Sequence, residues 1–406
     1  MFGLLGRTLS HSLSPQIHAH FGTYEYELFC REPDELDAFF ADTSIDAYNV
    51  TIPYKVEAYN RCTRLSDTAK KIRSVNTVIR LDDGTLYGDN TDYFGFSYMS
   101  ASCGADYNGK KVLILGSGGA SLTVRAVAQD SGAREIVVIS RNGENNYGNI
   151  DRHYDADIIV NTTPVGMYPH NGESPIDISR FTKPECVLDL IYNPCKTQLL
   201  LDAEKLGIPC ANGLTMLVAQ ALRSAEQFIN KSLGDSEIDR VCKAIELEQK
   251  NIVLIGMPGC GKSTAGKLLA KKLRRELLDT DTEIVRADSR SIPEIFSEDG
   301  EEKFRQLETD AVRRVGKQLG NVIATGGGTV MKKENRDALE QNGTVIYLKK
   351  DLSLLSLDGR PLSKDEDAVR KIYETRKDTY EAFADFIVEV DADADITAER
   401  VIQCIF

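Results

Sequence analysis

Tryptophan is absent from the 406 residues, histidine occurs only five times, and no apolar run approaches the ~20 residues of a membrane-spanning helix. His11, His18, His20, His153 and His170 form no metal-ligand pattern, so no zinc site is expected on them. Paired cysteines are missing too: nine are scattered without a C-x-x-C spacing, which reads as reduced thiols in the cytosol. An excess of positive charge is lacking. The 49 basic residues against 62 acidic ones leave a net charge of −13, which argues against a general binder of nucleic acid or anionic membrane. The start, Met1-Phe2-Gly3-Leu4-Leu5-Gly6-Arg7, lacks the basic segment and long apolar stretch of a signal peptide, and a cytoplasmic location is expected. What remains is ordinary globular protein, 42% hydrophobic and 27% charged, long enough for two or three domains.

The most specific stretch is Gly256-Met257-Pro258-Gly259-Cys260-Gly261-Lys262-Ser263-Thr264, which fits G-x-x-x-x-G-K-[ST]. The apolar run Ile252-Val253-Leu254-Ile255 precedes it and a helical pattern over 264–273 follows. A strand feeding a glycine loop feeding a helix N-terminus makes a phosphate cradle, because backbone N–H groups and the helix dipole converge on the anion. Residues Gly259 to Thr264 are therefore expected at ATP. Lys262 would reach the β- and γ-phosphates and the Ser263 hydroxyl would ligate Mg²⁺. Cys260 reads as a small residue fitting a tight loop; a redox role would require a perturbed thiol.

Earlier in the chain, residues 2–5 read as a strand, and Ser14-Pro15 opens a helix with proline in its first turn. The turn Asp82-Asp83-Gly84 joins strand-like pieces at 77–81 and 85–87. From Lys110 the pattern changes. Val112-Leu113-Ile114-Leu115 is typical of a parallel strand buried on both faces. Gly116-Ser117-Gly118-Gly119-Ala120 follows, then a helical stretch over 122–130 and a second strand, Ile136-Val137-Val138-Ile139. This is the βαβ layout of a dinucleotide site, although G-x-G-G-A departs from strict G-x-G-x-x-G. Arg141 stands where an acidic residue would suit the 2′-hydroxyl of NAD, which favours NADP. Further strands are expected at 157–163 and 186–191, a helix at 197–206, and a long amphipathic helix at 215–228 containing Gln220. Residues 232–235 suit a linker, and 237–248 reads as a helix that could belong to either side. In the last part, strands at 322–325, 344–348 and 386–390 precede a closing helix from Thr397.

The first 230 residues resemble shikimate dehydrogenase. The resemblance rests on His11-Ser12-Leu13-Ser14-Pro15, Asn49-Val50-Thr51-Ile52-Pro53-Tyr54-Lys55, Val75-Asn76-Thr77, Gly88-Asp89-Asn90-Thr91-Asp92, the 116–120 turn, Asn161-Thr162-Thr163-Pro164-Val165-Gly166-Met167 and Met216-Leu217-Val218-Ala219-Gln220-Ala221. Residues 250–406 resemble shikimate kinase, through the 256–264 loop, Asp279-Thr280-Asp281, Gly300-Glu301 with Phe304-Arg305, Gly326-Gly327-Gly328, Arg360-Pro361-Leu362 and Arg376 with Tyr380. The two families catalyse consecutive steps, so each half points to the same metabolite.

The resemblance implies an α/β chain: a substrate-binding α/β domain (1–103, plus about 213–233), a Rossmann-like NADP domain (104–212), a linker (234–249) and a P-loop kinase domain with a parallel sheet between helices (250–406). It implies reduction of 3-dehydroshikimate to shikimate with NADPH, then phosphorylation of shikimate with ATP and Mg²⁺. Lys55 and Asp92 would be the catalytic pair, with Ser12, Ser14, Thr51, Asn76, Asn90, Tyr192 and Gln220 on the substrate. Gly116, Gly118, Gly119, Ala120, Arg141, Thr163 and Gly213 would hold NADP. In the kinase half, Ser263 and Asp279 would hold the metal, and Asp281 would position the acceptor hydroxyl. Arg305, Arg376, Gly327 and Gly328 would bind the acceptor, with Arg360 on a lid over the ATP. Two departures stand out. Residues 142–157 are short and polar where the family has a helix, which is expected to weaken adenosine-side binding, and the lid lacks an additional arginine before Arg360. The residues leave open an NAD-using quinate/shikimate dehydrogenase fused to the kinase, a half that has become a binding or regulatory module, and the oligomeric state.

Overall fold

The computed structural model describes residues 1–10, 12–22, 24–355 and 366–406. The chain divides into two compact units, Met1–Ile245 and Glu246–Phe406.

The first unit holds two sheets. Across the six-stranded one, the order is Tyr26–Cys30, Phe2–Gly6, Ala47–Val50, Thr77–Arg80, Leu86–Asp89 and Arg64–Leu65. Its first three strands are parallel. Thr77–Arg80 then runs antiparallel to both neighbours, the expected hairpin about the 82–84 turn. The five-stranded sheet is parallel throughout, in the order Cys210–Ala211, Cys186–Asp189, Ile158–Asn161, Lys111–Leu115 and Glu135–Ile139. Strand Lys111–Leu115 is buried along its whole length, as its unbroken apolar run predicts for a strand covered on both faces. Chain order reverses beside it, so the glycine turn 116–118 and helix Gly119–Asp130 lie at the switch point where open α/β sheets bind ligands.

Residues 142–149 form a self-bonded loop rather than a helix. The Ser140 N–H donates to the Asn145 carbonyl at 3.1 Å, Asn146 Nδ2 to the Gly143 carbonyl at 3.2 Å, and Asn149 Nδ2 to the Glu144 carbonyl at 2.9 Å. Asparagine side chains supply the backbone partners that a helix would otherwise provide.

The segment expected as a linker, 234–249, carries the helix read over 237–248, which spans Ser236–Gln249. Ile238, Val241 and Ile245 recur at helical spacing and are fully buried in a cluster with Leu214, Val218, Leu222, Ile17 and Phe21. That apolar stripe docks the segment on the first unit, and the division falls near residue 245.

The second unit is one parallel sheet in the order Leu277–Asp279, Val322–Ala324, Asn251–Ile255, Gly343–Lys349 and Phe386–Glu389. The completely buried strand Asn251–Ile255 is central, and the 256–261 loop leaves its carboxyl end to enter helix Lys262–Leu273. Gly256 has φ +142°, and a Cβ there would stand 2.6 Å from the Leu348 carbonyl, so only glycine fits where the loop leaves the strand.

Candidate functional site

Each unit has a cavity at the carboxyl ends of its strands. In the first unit a cavity of about 390 Å³ is lined by Ser12, Ser14, Thr51, Lys55, Asn76, Asp92, Ala120, Tyr192, Gly213 and Gln220, with Thr8, Ser10, Asn49 and Met216 among the others. Lys55 opens one helix and Asp92 another, so the two side chains meet from separate elements. Lys55 Nζ lies 2.5 Å from Asp92 Oδ2, with both side chains partly exposed. Asn76 Nδ2 donates to Asp92 Oδ1 at 2.9 Å and to Gln220 Oε1 at 3.3 Å, while Asn76 Oδ1 accepts the Thr91 N–H at 2.7 Å. The carboxylate is thereby held on one oxygen by an ammonium and on the other by an amide. An aspartate so fixed keeps the lysine in place and leaves its remaining protons free to face the cavity.

Tyr192 is carried by the segment after strand Cys186–Asp189, whose last residue anchors it. Asp189 is fully buried and accepts from Asn161 Nδ2 (3.0 Å), the Ile191 N–H (3.0 Å) and Thr197 Oγ1 (2.7 Å). Burial outweighs these three donors and pushes its carboxyl up to about 6. Burial likewise raises the Tyr192 hydroxyl.

Asn90, expected on the substrate, has a buried side chain that donates from Nδ2 to the Ser74 carbonyl at 2.8 Å, and it is not among the residues lining the cavity. Asn49, from the same motif as Thr51 and Lys55, takes a place in the lining instead and donates to Ser224 Oγ at 2.7 Å. Its position at the carboxyl end of strand Ala47–Val50 was the available signal.

The glycines expected at a dinucleotide separate into two kinds. A Cβ at Gly118 or Gly119 would meet nothing of the chain within 4 Å, so the exposed turn leaves room for a phosphate to approach the backbone. At Gly213 a Cβ would stand 2.1 Å from the Leu190 carbonyl, and at Gly116 2.9 Å from Thr162 Oγ1. Those two glycines are required by the chain itself. Thr163 Oγ1 donates to Asn161 Oδ1 at 2.7 Å and shapes the neighbouring turn, while Arg141 is exposed just past strand Glu135–Ile139.

In the second unit the cavity measures about 650 Å³, lined by Gly259, Gly261, Lys262, Ser263, Thr264, Asp279, Asp281, Arg305, Gly327, Gly328 and Arg376. Ile292, Pro293, Phe296 and Phe304 give it one apolar wall. Lys262 Nζ folds back onto the Gly256 and Met257 carbonyls, 2.9 Å from each. Ser263 Oγ donates to Asp279 Oδ2 at 2.6 Å, and Asp279 Oδ1 caps helix Thr280–Asp288 by accepting the Asp281 N–H at 3.0 Å. A hydroxyl and a carboxylate in contact at the loop's exit form a hard-oxygen pair that suits Mg²⁺.

Cys260 is fitted into the tight loop as a small residue: its side chain is fully buried in the core with Sγ 3.8 Å from Lys262 Nζ, so at this position the loop offers its backbone to a ligand. Arg360, expected on the lid, and His11 lie outside the described residues.

Glu308, unassigned from sequence, is 1% exposed and lines the cavity. It accepts from Arg305 Nη1 at 2.9 Å and Thr329 Oγ1 at 2.7 Å. Glu301 accepts from Arg305 Nη2 at 3.1 Å. Burial works against the Arg305 charge, but the two carboxylates outweigh it and hold the guanidinium above its ordinary value. The i, i+3 spacing from Arg305 was the available signal. A Cβ at Gly328 would lie 2.6 Å from Arg305 Nη1, so the glycine lets the guanidinium into the cavity wall.

The comparisons agree with this division. The family model of shikimate kinase matches residues 258–406, and that of the shikimate dehydrogenase substrate binding domain matches 4–78. The chain is 34% identical over 247 residues to the shikimate dehydrogenase (NADP(+)) of Clostridium perfringens (strain SM101 / Type A), covering 56% of this chain and 91% of that protein. It is 35% identical over 272 residues to that of Caldicellulosiruptor bescii, covering 58% and 94%. Among solved structures, a chorismate mutase/shikimate 5-dehydrogenase fusion protein from Clostridium acetobutylicum aligns with TM-score 0.57 at 36% identity, covering 60% of this chain and 96% of that one. Shikimate dehydrogenase 1 from Peptoclostridium difficile aligns with TM-score 0.56 at 36% identity, covering 61% and 98%.

Proposed function

Because the chain belongs to the shikimate dehydrogenase family and carries a shikimate kinase domain after it, we propose that it reduces 3-dehydroshikimate to shikimate and phosphorylates shikimate at its 3-hydroxyl. The observation that carries this reading is that each unit gathers its charged groups into one cavity. One holds Lys55 and Asp92, the other Lys262, Asp279, Asp281, Arg305 and Arg376.

When bound, NADPH supplies a hydride and Mg²⁺-ATP a phosphoryl group. The open glycine turn at 118–119 fits a pyrophosphate, and Arg141, in place of an acid, fits the 2′-phosphate of NADP. In the first cavity Lys55 stands ready to give a proton to the oxygen of the ketone being reduced, and Asp92 stabilises the ammonium and fixes its direction. Asn76, Gln220, Ser12, Ser14 and Thr51 orient the ring hydroxyls and carboxylate, and Tyr192 closes the side next to Leu190. In the second cavity Asp281 aligns the acceptor hydroxyl and Arg305 and Arg376 take the acceptor carboxylate, for which the arginine fork is suited. Lys262, now on the loop carbonyls, would neutralise the transferring phosphate, and Ser263 with Asp279 would hold the metal.

A coupled assay with 3-dehydroshikimate, NADPH, ATP and Mg²⁺, omitting one component at a time, tests both activities. The Lys262→Ala variant is expected to keep shikimate formation and lose shikimate 3-phosphate. No NADPH oxidation by either protein would sink the dehydrogenase reading, and faster turnover with NAD⁺ and quinate, forming NADH, would replace it.

A further inference from the structure

Tyr380 is fully buried on helix Glu366–Phe383, one turn past Arg376, and does not itself line the kinase cavity. Its ring stacks on Tyr347 of the adjacent strand Gly343–Lys349, with centroids 5.2 Å apart and planes 26° from parallel. That contact leaves the hydroxyl one direction to point. It donates to the Gly327 carbonyl, and the positive charge of Arg376, one turn earlier on the same helix, acts on it electrostatically.

The peptide unit between Gly327 and Gly328 is planar and trans, so its C=O and N–H point in opposite directions. Fixing the Gly327 carbonyl toward Tyr380 therefore aims the Gly328 N–H the other way. Gly327 and Gly328 can rotate more freely than any other residue pair, and neither has a side chain with which to hold this orientation. The Thr329 N–H closes the turn on the Gly326 carbonyl at 3.2 Å and the Gly328 carbonyl accepts the Met331 N–H at 3.0 Å, while Pro258 and the Arg305 guanidinium stand 2.6 Å from where Cβ atoms of Gly327 and Gly328 would be; none of these contacts holds the Gly327 carbonyl itself. The Tyr380 hydroxyl thus bears on both a backbone donor and an arginine of the cavity wall.

We propose that Tyr380 is a positioning residue of the kinase acceptor site, setting the Gly327–Gly328 peptide and Arg376 together to receive the carboxylate and hydroxyls of shikimate. This rests on the kinase reading above. The nucleotide end of the cavity, formed by the 256–264 loop, is set independently by the Gly256 and Met257 carbonyls and Asp279.

The test is Tyr380→Phe in the full chain, which removes one oxygen and retains the stacked ring. Steady-state phosphorylation is measured with shikimate and ATP varied separately, and folding is checked by far-UV circular dichroism. Losing the partner of a buried carbonyl is expected to raise KM for shikimate about tenfold. KM for ATP stays unchanged and kcat falls by no more than about threefold, the pattern of lost acceptor binding. In an Arg376→Lys background the same change adds less than about twofold, because the two side chains act as one unit. An unchanged KM for shikimate, an equal rise in both KM values, or full additivity with Arg376→Lys overturns the inference while leaving the kinase reading intact. Should Tyr380→Phe lose its fold, 3,5-difluorotyrosine at position 380 carries the same measurements: it keeps ring and hydroxyl, makes the hydroxyl a stronger donor and should change KM for shikimate with KM for ATP unaltered, and no change in either overturns the inference. A wild-type chain that transfers no phosphate to shikimate removes the reading and this inference together.

Discussion

Replacing Arg305 by methionine separates what that residue does for the fold from what it does for a ligand. The Glu308 carboxylate is 1% exposed and has two partners, Arg305 Nη1 at 2.9 Å and Thr329 Oγ1 at 2.7 Å. Removing the guanidinium leaves a buried anion with one neutral hydroxyl, and breaking a buried pair in this way costs about 3–5 kcal/mol. For a unit of this size, each kcal/mol corresponds to roughly 2–4 °C, so the transition of the second unit is expected to fall by about 10 °C. A second change, Glu308→Gln, removes the orphaned charge and retains an oxygen for Thr329. Arg305→Met/Glu308→Gln is therefore expected to recover at least half of the loss, even though it is the more heavily altered protein. Neither variant should phosphorylate shikimate measurably. With no tryptophan to report, unfolding is followed by far-UV circular dichroism. Hydrogen exchange of peptides from helix Gly300–Gly316 assigns the transition. If the double variant is no more stable than Arg305→Met, the cost does not come from an unpaired Glu308 and the electrostatic account is refuted.

Other changes test the first unit. Lys55→Met should lower 3-dehydroshikimate reduction by at least about a hundredfold with phosphorylation unchanged, by loss of the proton donor; comparable losses in both activities would point to misfolding. Gly118→Ala meets nothing of the chain and should leave the melting temperature unaltered while raising KM for NADPH, whereas Gly213→Ala drives a methyl into the Leu190 carbonyl and should destabilise the unit by several kcal/mol. Equal stabilities for the two would contradict that contrast. Asp189 gives a pH signature. Its carboxyl keeps its proton up to about 6 when folded, against an ordinary 3.8 when unfolded. Between those values the folded chain binds the additional proton, so stability falls as pH rises through that window, by about 3 kcal/mol in total. Comparing wild type with Asp189→Asn in urea melts from pH 4 to 7 isolates this slope. A difference that does not vary with pH would rule out Asp189 as its source.

How far the sequence could be read depended on what each residue's neighbours contribute. The runs at 112–115 and 252–255 were legible because a strand buried on both faces must be apolar throughout, and both proved to be interior strands of their sheets. Strand Tyr26–Cys30 was not foreseen. It is a sheet edge with one buried residue in five, and so has little apolar period to show. Motif glycines, Lys55, Asp92, Lys262 and Asp281 could be named because their chemistry is tied to fixed local spacing. At Cys260 the motif specifies the backbone, and the small side chain turns into the core, as its reading as a residue fitted to a tight loop expects.

Glu308 and Tyr380 show a different limit. A glutamate within Glu301-Glu302-Lys303-Phe304-Arg305-Gln306-Leu307-Glu308 reads as one more solvated charge, and Tyr380 is legible only as the partner of Arg376 in a shared spacing, which says nothing of what its hydroxyl touches. Their roles exist only through partners distant in sequence: Thr329 lies 21 residues beyond Glu308, and Gly327 lies 53 residues before Tyr380. Ligand-facing groups must carry their own chemistry and so appear in local patterns. The groups that orient them need only reach, and a tertiary contact of that kind leaves no periodic trace. The second layer of each cavity is therefore where structure adds most to sequence here, and where a substitution that preserves shape, such as Tyr380→Phe, is more informative than removal of a motif residue.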